Sequence, residues 1–271
     1  MEHESWLRLS AFLGVFFLMA TWEMLAPKRT LILGKKRWLA NIGIVVLDSL
    51  VARILLSGGA VTAALWAESN QIGILRLFFL PDGLMLFVAV VVMDFIIYAQ
   101  HVLFHRVPML WRLHQVHHAD RDIDVTTGLR FHPIEIILSM LIKITVVIAL
   151  GVPVLAVVVF EVILNGMAMF NHANVRLPKV VDGLIRLILV TPDVHRVHHS
   201  MINTETNRNY GFNLSIWDRL FGTYQAQPRL GHEHVVIGLP DFQRAPTHQL
   251  FWMLRLPFQS KHQKNKPANK V

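Results

Sequence analysis

Eight of the 15 histidines in the 271-residue chain fall into three tight clusters. His101 and His105 stand four apart in HVLFH, while His114, His117 and His118 form HQVHH, and His195, His198 and His199 repeat that pattern as HRVHH. On a helix, residues three and four apart share a face, so each cluster presents neighbouring imidazoles to one point in space. This is the spacing by which two histidines on one helix reach a single metal ion. Packed imidazoles repel one another once protonated, and burying them uncharged requires partners. Eight ligands exceed the four to six positions of one ion, and two ions suit the number better. Imidazole serves Zn, Cu, Fe and Ni, so spacing alone does not name the metal. The chain has no cysteine, which excludes disulfides, thiolate catalysis and sulfur-ligated metal.

Single histidines divide by context. His172, in MFNHANVRLP, ends an apolar run on the same side as the clusters and is a further ligand candidate. His132, in GLRFHPIE, precedes a proline at the start of another run and reads as a support behind the ligands or a structural residue. His3, His232, His234, His248 and His262 read as surface or hydrogen-bonded residues. Asp94 lies seven residues before His101 and Asp193 two before His195. Either could accept the free N–H of a ligand imidazole and fix its tautomer. For Asp94 the plain alternative is a packing hydrogen bond, although an acid inside an apolar run is costly enough to mark a functional position.

The elements that must hold these residues are greasy. The chain is 54% hydrophobic and only 16% charged, with a mean hydropathy of +0.45, whereas globular domains carry about 25% charged residues. Apolar runs at 6–26, 39–67, 84–104 and 134–170 approach the ~20 residues needed to cross a bilayer. The last is interrupted by Gly151 and Pro153, which predicts two short helices joined by a tight turn. The reading is an all-α integral membrane bundle of four or five transmembrane or hairpin helices: membrane helices over 1–83, a catalytic region over 84–225 and a basic C-terminal tail over 226–271. An acidic leader without a small-residue cleavage site predicts that the first run is a retained helix. Lys28, Arg29, Lys35, Lys36 and Arg37 lie between the first two runs, Lys261, Lys264, Lys266 and Lys270 in the tail, and only Arg76 in the connection 68–83. The positive-inside rule then places the first connection, the histidines and the C-terminus on the cytoplasmic side. The formal charge of +8 is accounted for by those loops, which argues against nucleic acid. No phosphate loop, dinucleotide fingerprint or GxSxG elbow occurs.

Taken in order, HVLFH, HQVHH, RFHPIE around His132, NHAN around His172, HRVHH, then NRNYG from Asn207 and WDRLFGTY from Trp217, the sequence resembles the fatty acid hydroxylase / sterol desaturase superfamily of membrane oxygenases. The resemblance runs from about Asp94 to Tyr224, roughly half of the chain. It implies two iron ions on His101, His105, His114, His117, His118, His195, His198 and His199, with His172 as a ninth ligand. It further implies O₂ as co-substrate, a membrane lipid as substrate, and oxidation of an unactivated C–H bond. Asn207, Tyr210, Gly211, Trp217 and Asp218 match the tail motif, with helix capping or packing against the iron site as their plainest role. No haem-type HPGG is present, so electrons are expected from a separate cytochrome b5-like or ferredoxin/reductase partner. Two alternatives stay open. One is desaturation on the same site. The other is a non-catalytic zinc-binding membrane protein, against which the histidines gather at one face without forming a polar line through the bilayer.

Overall fold

The computed structural model describes residues 2–56 and 58–259, so that the chain from 260 onward, His262 included, lies outside the described residues. Among the described residues every regular element is helical, and the β-type pairings are three isolated bridges: Pro27 with Val175, Leu189 with Leu214, and Ser200 with Ile237. The main helices are α1 (Glu2–Leu25), α2 (Trp38–Leu55), α3 (Gly59–Ser69), α4 (Asp82–Arg106), α5 (Pro108–His118), α6 (Pro133–Leu150), α7 (Val154–His172), α8 (Lys179–Ile185) and α9 (Pro192–His198). Among the described residues five segments are long and apolar enough to cross a membrane: Trp6–Leu25, Gly34–Leu77, Asp82–Arg106, Pro133–Leu150 and Val154–His172. The second apolar run, 39–67, is divided by left-handed backbone at Gly58 and Gly59 into α2 and the short α3. The expected break at 151–153 is present: Gly151 ends α6 at φ +67° and Pro153 caps α7.

Small residues let the apolar helices approach one another. Ala60, Ala64, Ala89 and Ala156 are buried where α3, α4 and α7 meet, filled in by Met93, Val147, Val157 and Phe160. Without a hydrophobic drive between helices in lipid, such small-residue contacts supply the packing. The outward faces carry exposed Leu18, Phe87, Leu141 and Leu155, as a lipid-facing surface requires. At the apolar end of the bundle the turn before residue 74 closes on the α6–α7 turn, where a Cβ on Gly151 would stand 2.5 Å from the Ile72 carbonyl.

The polar end is pinned by buried charge. Arg37, just before α2, is fully buried and paired with Asp120 and Asp124, with Asp122 at 3.5 Å. Asp122 also accepts the backbone N–H groups of Ile32, Leu33 and Gly34 at 2.7, 2.6 and 3.0 Å. Arg130, equally buried, donates to the Val116 carbonyl at 2.8 Å and to Asn41 at 3.2 Å. These bonds tie the start of α2 to the chain that follows HQVHH. The end of α1 is tied to the end of α7 by Lys28 N–H to Asn174 O and Arg176 N–H to Ala26 O, at 2.8 and 2.9 Å. Residues 226–259, grouped with the tail by sequence, instead fold back: Phe242, Met253 and Leu256 pack with Ala40, Ile44 and Val116, and Arg112 donates to the Pro257 carbonyl at 2.7 Å.

Removing one partner from a buried ionic network strands the others, which costs about 3–5 kcal/mol. Arg37→Leu is therefore expected to destabilise the detergent-solubilised protein by about that much. Denaturant unfolding checks it, and an unchanged midpoint would remove the network from its bracing role.

Candidate metal centre

The three sequence clusters do not stay separate. The nine candidate ligands form two groups, His101, His105, His114, His118 and His198 in one and His117, His172, His195 and His199 in the other, with the ligand atoms of each group within 4.8 Å of one another. Helix geometry explains the division. In each HxxHH the first and last histidines, four apart, join one group, and the middle one, rotated to the neighbouring face, joins the other. HQVHH sends His114 and His118 to the first group and His117 to the second, while HRVHH reverses the assignment.

Outward nitrogens fix the tautomers. His101 Nδ1 donates to the Tyr210 carbonyl at 2.8 Å and His198 Nδ1 to the Arg208 carbonyl at 2.7 Å. Their Nε2 atoms, left as bare acceptors, face each other at 3.1 Å. The second group repeats the arrangement: His117 Nδ1 meets the Arg130 carbonyl at 3.2 Å and His172 Nδ1 the Ala168 carbonyl at 2.7 Å, with the two Nε2 atoms 3.1 Å apart. His195 Nε2 adds a contact to His172 at 3.0 Å. Two acceptors cannot hydrogen-bond to each other, so a lone-pair conflict is buried in each group, and a cation between the nitrogens resolves it. The spacing fits, since nitrogens bound to one ion at about 2.0–2.1 Å are about 2.8–3.4 Å apart at octahedral or tetrahedral angles. The side-chain nitrogens His105 Nδ1 and Nε2, His114 Nε2 and His118 Nε2 are also buried without partners. The residues therefore suit metal in both groups.

These elements coincide with a known family. A fatty acid hydroxylase family model matches residues 86–223, half of the chain. The chain belongs to the fatty acid hydroxylase family. Its relatives include ornithine lipid hydroxylase OlsE of Rhizobium tropici, 33% identical over 55% of this chain and 44% of the relative. Alkylglycerol monooxygenase of Homo sapiens is 33% identical over 54% of this chain and 31% of the relative. The chain thus spans less than half the length of these relatives. No solved structure matches it.

Several supports of this fatty acid hydroxylase site differ from the expectation. Asp94 accepts from Trp217 Nε1 at 2.7 Å and Leu214 N–H at 3.3 Å, which anchors the WDRLFGTY segment to α4 and leaves no bond to an imidazole. Asp193 pairs with Lys28 and Arg196 instead of a ligand histidine. Burial would raise it, but Arg196, His232 and Lys28 outweigh that and hold it at about 2. The place expected for these acids is taken by backbone carbonyls and by Glu135, whose carboxylate sits 2.6 Å from His114 Nδ1. His132 is a structural residue: its Nδ1 caps α6 by accepting from Ile134 N–H at 3.2 Å, and its Nε2 reaches the Leu254 carbonyl at 3.3 Å. Asn207 lines a small cavity beside His105 and accepts from the Tyr210 hydroxyl at 3.3 Å. Tyr210 packs against His101, His105 and His198, and its carbonyl is aimed by Asp218, which accepts the Tyr210 and Gly211 N–H groups at 2.8 and 2.7 Å. A Cβ at Gly211 would lie 2.6 Å from that carboxylate, so only glycine admits the clamp.

Burial pushes His114 down to about 3. Burial and then neighbouring imidazoles hold His117, His118, His195 and His199 far below the ordinary histidine value, as they do His198. The unfolded chain takes up protons near pH ~6.5 that the folded chain refuses, so stability is present above that pH and lost below it. The metal-free protein is expected to lose unfolding stability steadily from about pH 7 to pH 5. Thermal unfolding across that range is the check; a flat profile would contradict a neutral imidazole cluster.

Proposed function

We propose that this protein is a membrane-embedded di-iron oxygenase that hydroxylates a lipid C–H bond. The observation that carries the reading is the pair of all-imidazole groups, each with opposed lone pairs, set at the end of apolar helices. One iron per group satisfies both, and iron bound there supplies the O₂ reduction and C–H oxidation. The overall change is one oxygen inserted into the C–H bond and one released as water, with two electrons and two protons taken up. The electrons come from a separate protein of cytochrome b5-like or ferredoxin/reductase type. The metal end and the C-terminus face the cytoplasm, in keeping with the basic connection 28–37.

The chain's own residues hold the arrangement in place. Backbone carbonyls fix His101, His117, His172 and His198 as Nδ1–H tautomers, leaving Nε2 for the metal. Glu135 orients His114. Phe131 stacks on His117, ring centroids 4.6 Å apart, and also lines a cleft of about 330 Å³ between α1, α2, α4, α6 and α7. It thereby stands between that cleft and the second ligand group. The names of the relatives, a hydroxylase and monooxygenases, favour oxygen insertion over desaturation, which would use the same residues.

The purified protein is expected to hold two irons per chain. With a reductase, O₂ and host lipids it should yield a lipid heavier by one oxygen. His117→Ala and His198→Ala, one from each group, should each lose iron and at least about a hundredfold in activity. Metal analysis with mass spectrometry of the lipids decides: zinc in place of iron, or lipids of unchanged mass, would sink the reading. A product lighter by two hydrogens would replace hydroxylation by desaturation.

A further inference from the structure

Two short helices outside the five spanning segments are built inside out. In α8, Val180 and Leu184 lie one turn apart on an outer face and are 76% and 65% exposed, whereas Asp182 is buried and paired with buried Arg186. In the helix Ile216–Leu220, the two end residues share an outer face and are 52% and 67% exposed, whereas Asp218 is fully buried. Leu187 and Ile188, just after α8, are exposed as well. The two helices adjoin. Val190 N–H donates to the Asn213 carbonyl and Ser215 N–H to the Ile188 carbonyl, both at 2.9 Å, and Ser215 Oγ donates to the Arg186 carbonyl at 2.7 Å. A surface helix in water does the reverse, turning its apolar stripe inward and its charge outward. Apolar surface gathered in this way marks a contact with lipid or with another protein.

The anchorage of the second helix favours lipid. Trp217 donates to Asp94, the middle residue of the 25-residue α4, and packs on Phe95 with ring centroids 5.1 Å apart. Phe221 stacks on Phe95 and Tyr98 at 5.9 and 5.5 Å. A hydrocarbon layer of ~30 Å takes about twenty residues of a helix at 1.5 Å each. Wherever that layer is set along α4, it covers residues 94–98. The helix Ile216–Leu220 therefore stands beside a stretch of α4 that lies in hydrocarbon. Half-exposed Phe221 joins its outer face to the side of α4. Lys179 and Arg219, next to these apolar residues in the chain, are exposed cations of the kind that reach for phosphate headgroups. We propose that α8 and the helix Ile216–Leu220 form a foot set into one leaflet of the bilayer, with Val180, Leu184, Leu187, Ile188, Ile216 and Leu220 against acyl chains. Its charges are kept from the lipid, Asp182 by Arg186, and Asp218 by the Tyr210 and Gly211 N–H groups. The foot sets the depth of the metal end. Its chain leads directly into α9, and His101 stands seven residues beyond Asp94 on α4, or about 10 Å. The inference needs only that α4 spans the bilayer and holds for any chemistry at the histidines.

The test exploits the absence of cysteine from the chain. Leu184→Cys and Leu220→Cys, each alone in the full chain, are labelled with an environment-sensitive fluorophore. The protein is reconstituted, in large lipid excess, into vesicles of phosphatidylcholine and phosphatidylglycerol. Phe87→Cys, on the exposed side of α4, serves as the lipid reference, and exposed Asp241→Cys as the water reference. All four positions are exposed, so each variant is expected to keep the wild-type circular dichroism and melting temperature. Both foot labels should emit to the blue of the Asp241→Cys label. They should be quenched by lipids with nitroxides on their acyl chains, as the Phe87→Cys label is, and shielded from iodide in the buffer. Iodide quenching as strong as at Asp241→Cys, without quenching by the lipid nitroxides, would place the foot in water and overturn the proposal. Shielding from both quenchers would put protein on this face, a second copy of the chain if labelled copies exchange energy, and would overturn it equally.

Discussion

Nine imidazoles in two groups, eight of them buried, set the central constraint. The groups have no anion among their ligands, so burial disfavours the protonation that would otherwise relieve them, and tautomers fixed by carbonyls leave lone pairs opposed across 3.1 Å in both groups. Such a cluster is unfavourable as bare protein and favourable once each group surrounds a cation. Stability of the polar end and metal binding are thereby the same problem. Everything that fixes the four segments carrying these residues, α4, α5, α7 and α9, acts on the metal site.

That explains where the strongest polar interactions are placed. The Arg37 network does not touch an imidazole, yet it locks residues 120–124 directly after His117 and His118. Arg130 is fixed by the Val116 carbonyl and presents its own carbonyl to His117. Asp218 aims the Tyr210 carbonyl at His101. In each case a buried side chain orients a backbone carbonyl or a loop, and that loop orients a ligand. A rigid support of this kind suits redox chemistry, in which the ligand shell must hold its geometry while charge at the site changes.

Much of the site was legible because its determinants are local. Spacings of three and four identify HxxxH and HxxHH as helical ligand sets, and their number calls for two ions. Apolar run lengths give the helices, and Gly151 with Pro153 gives the α6–α7 turn. The division of each HxxHH between two groups was not legible, since it depends on how α5 and α9 face each other. Asp120, Asp122 and Asp124, alternating after HQVHH, look like a solvated acidic loop until Arg37, more than 80 residues earlier, is brought beneath them. Nothing in RFHPIE distinguishes Glu135 from an ordinary first-turn acid, because only the folded helix start uses His132 as a cap and turns Glu135 inward to His114. Trp217 is the partner of Asp94 across 123 residues, a pairing that no local pattern reveals.

The two polar systems of the interior answer to opposite signs. The imidazole groups need cations and are built to keep them, with carbonyls behind the ligands and aromatic walls at Phe131 and Tyr210. The cleft beside them is lined by carboxylates, and both oxygens of Asp48 are buried there without a hydrogen-bond partner. Replacing both systems by leucine and phenylalanine would pack the bundle at lower electrostatic cost, so neither is there to stabilise the fold. They meet at Glu135, which gives one oxygen to His114 and also lines the cleft. A single carboxylate thus links the residue that would hold metal to the space that would hold lipid. The positioning of ligand and of substrate therefore depends on the same first turn of α6, where His132 caps the helix and Pro133 starts it.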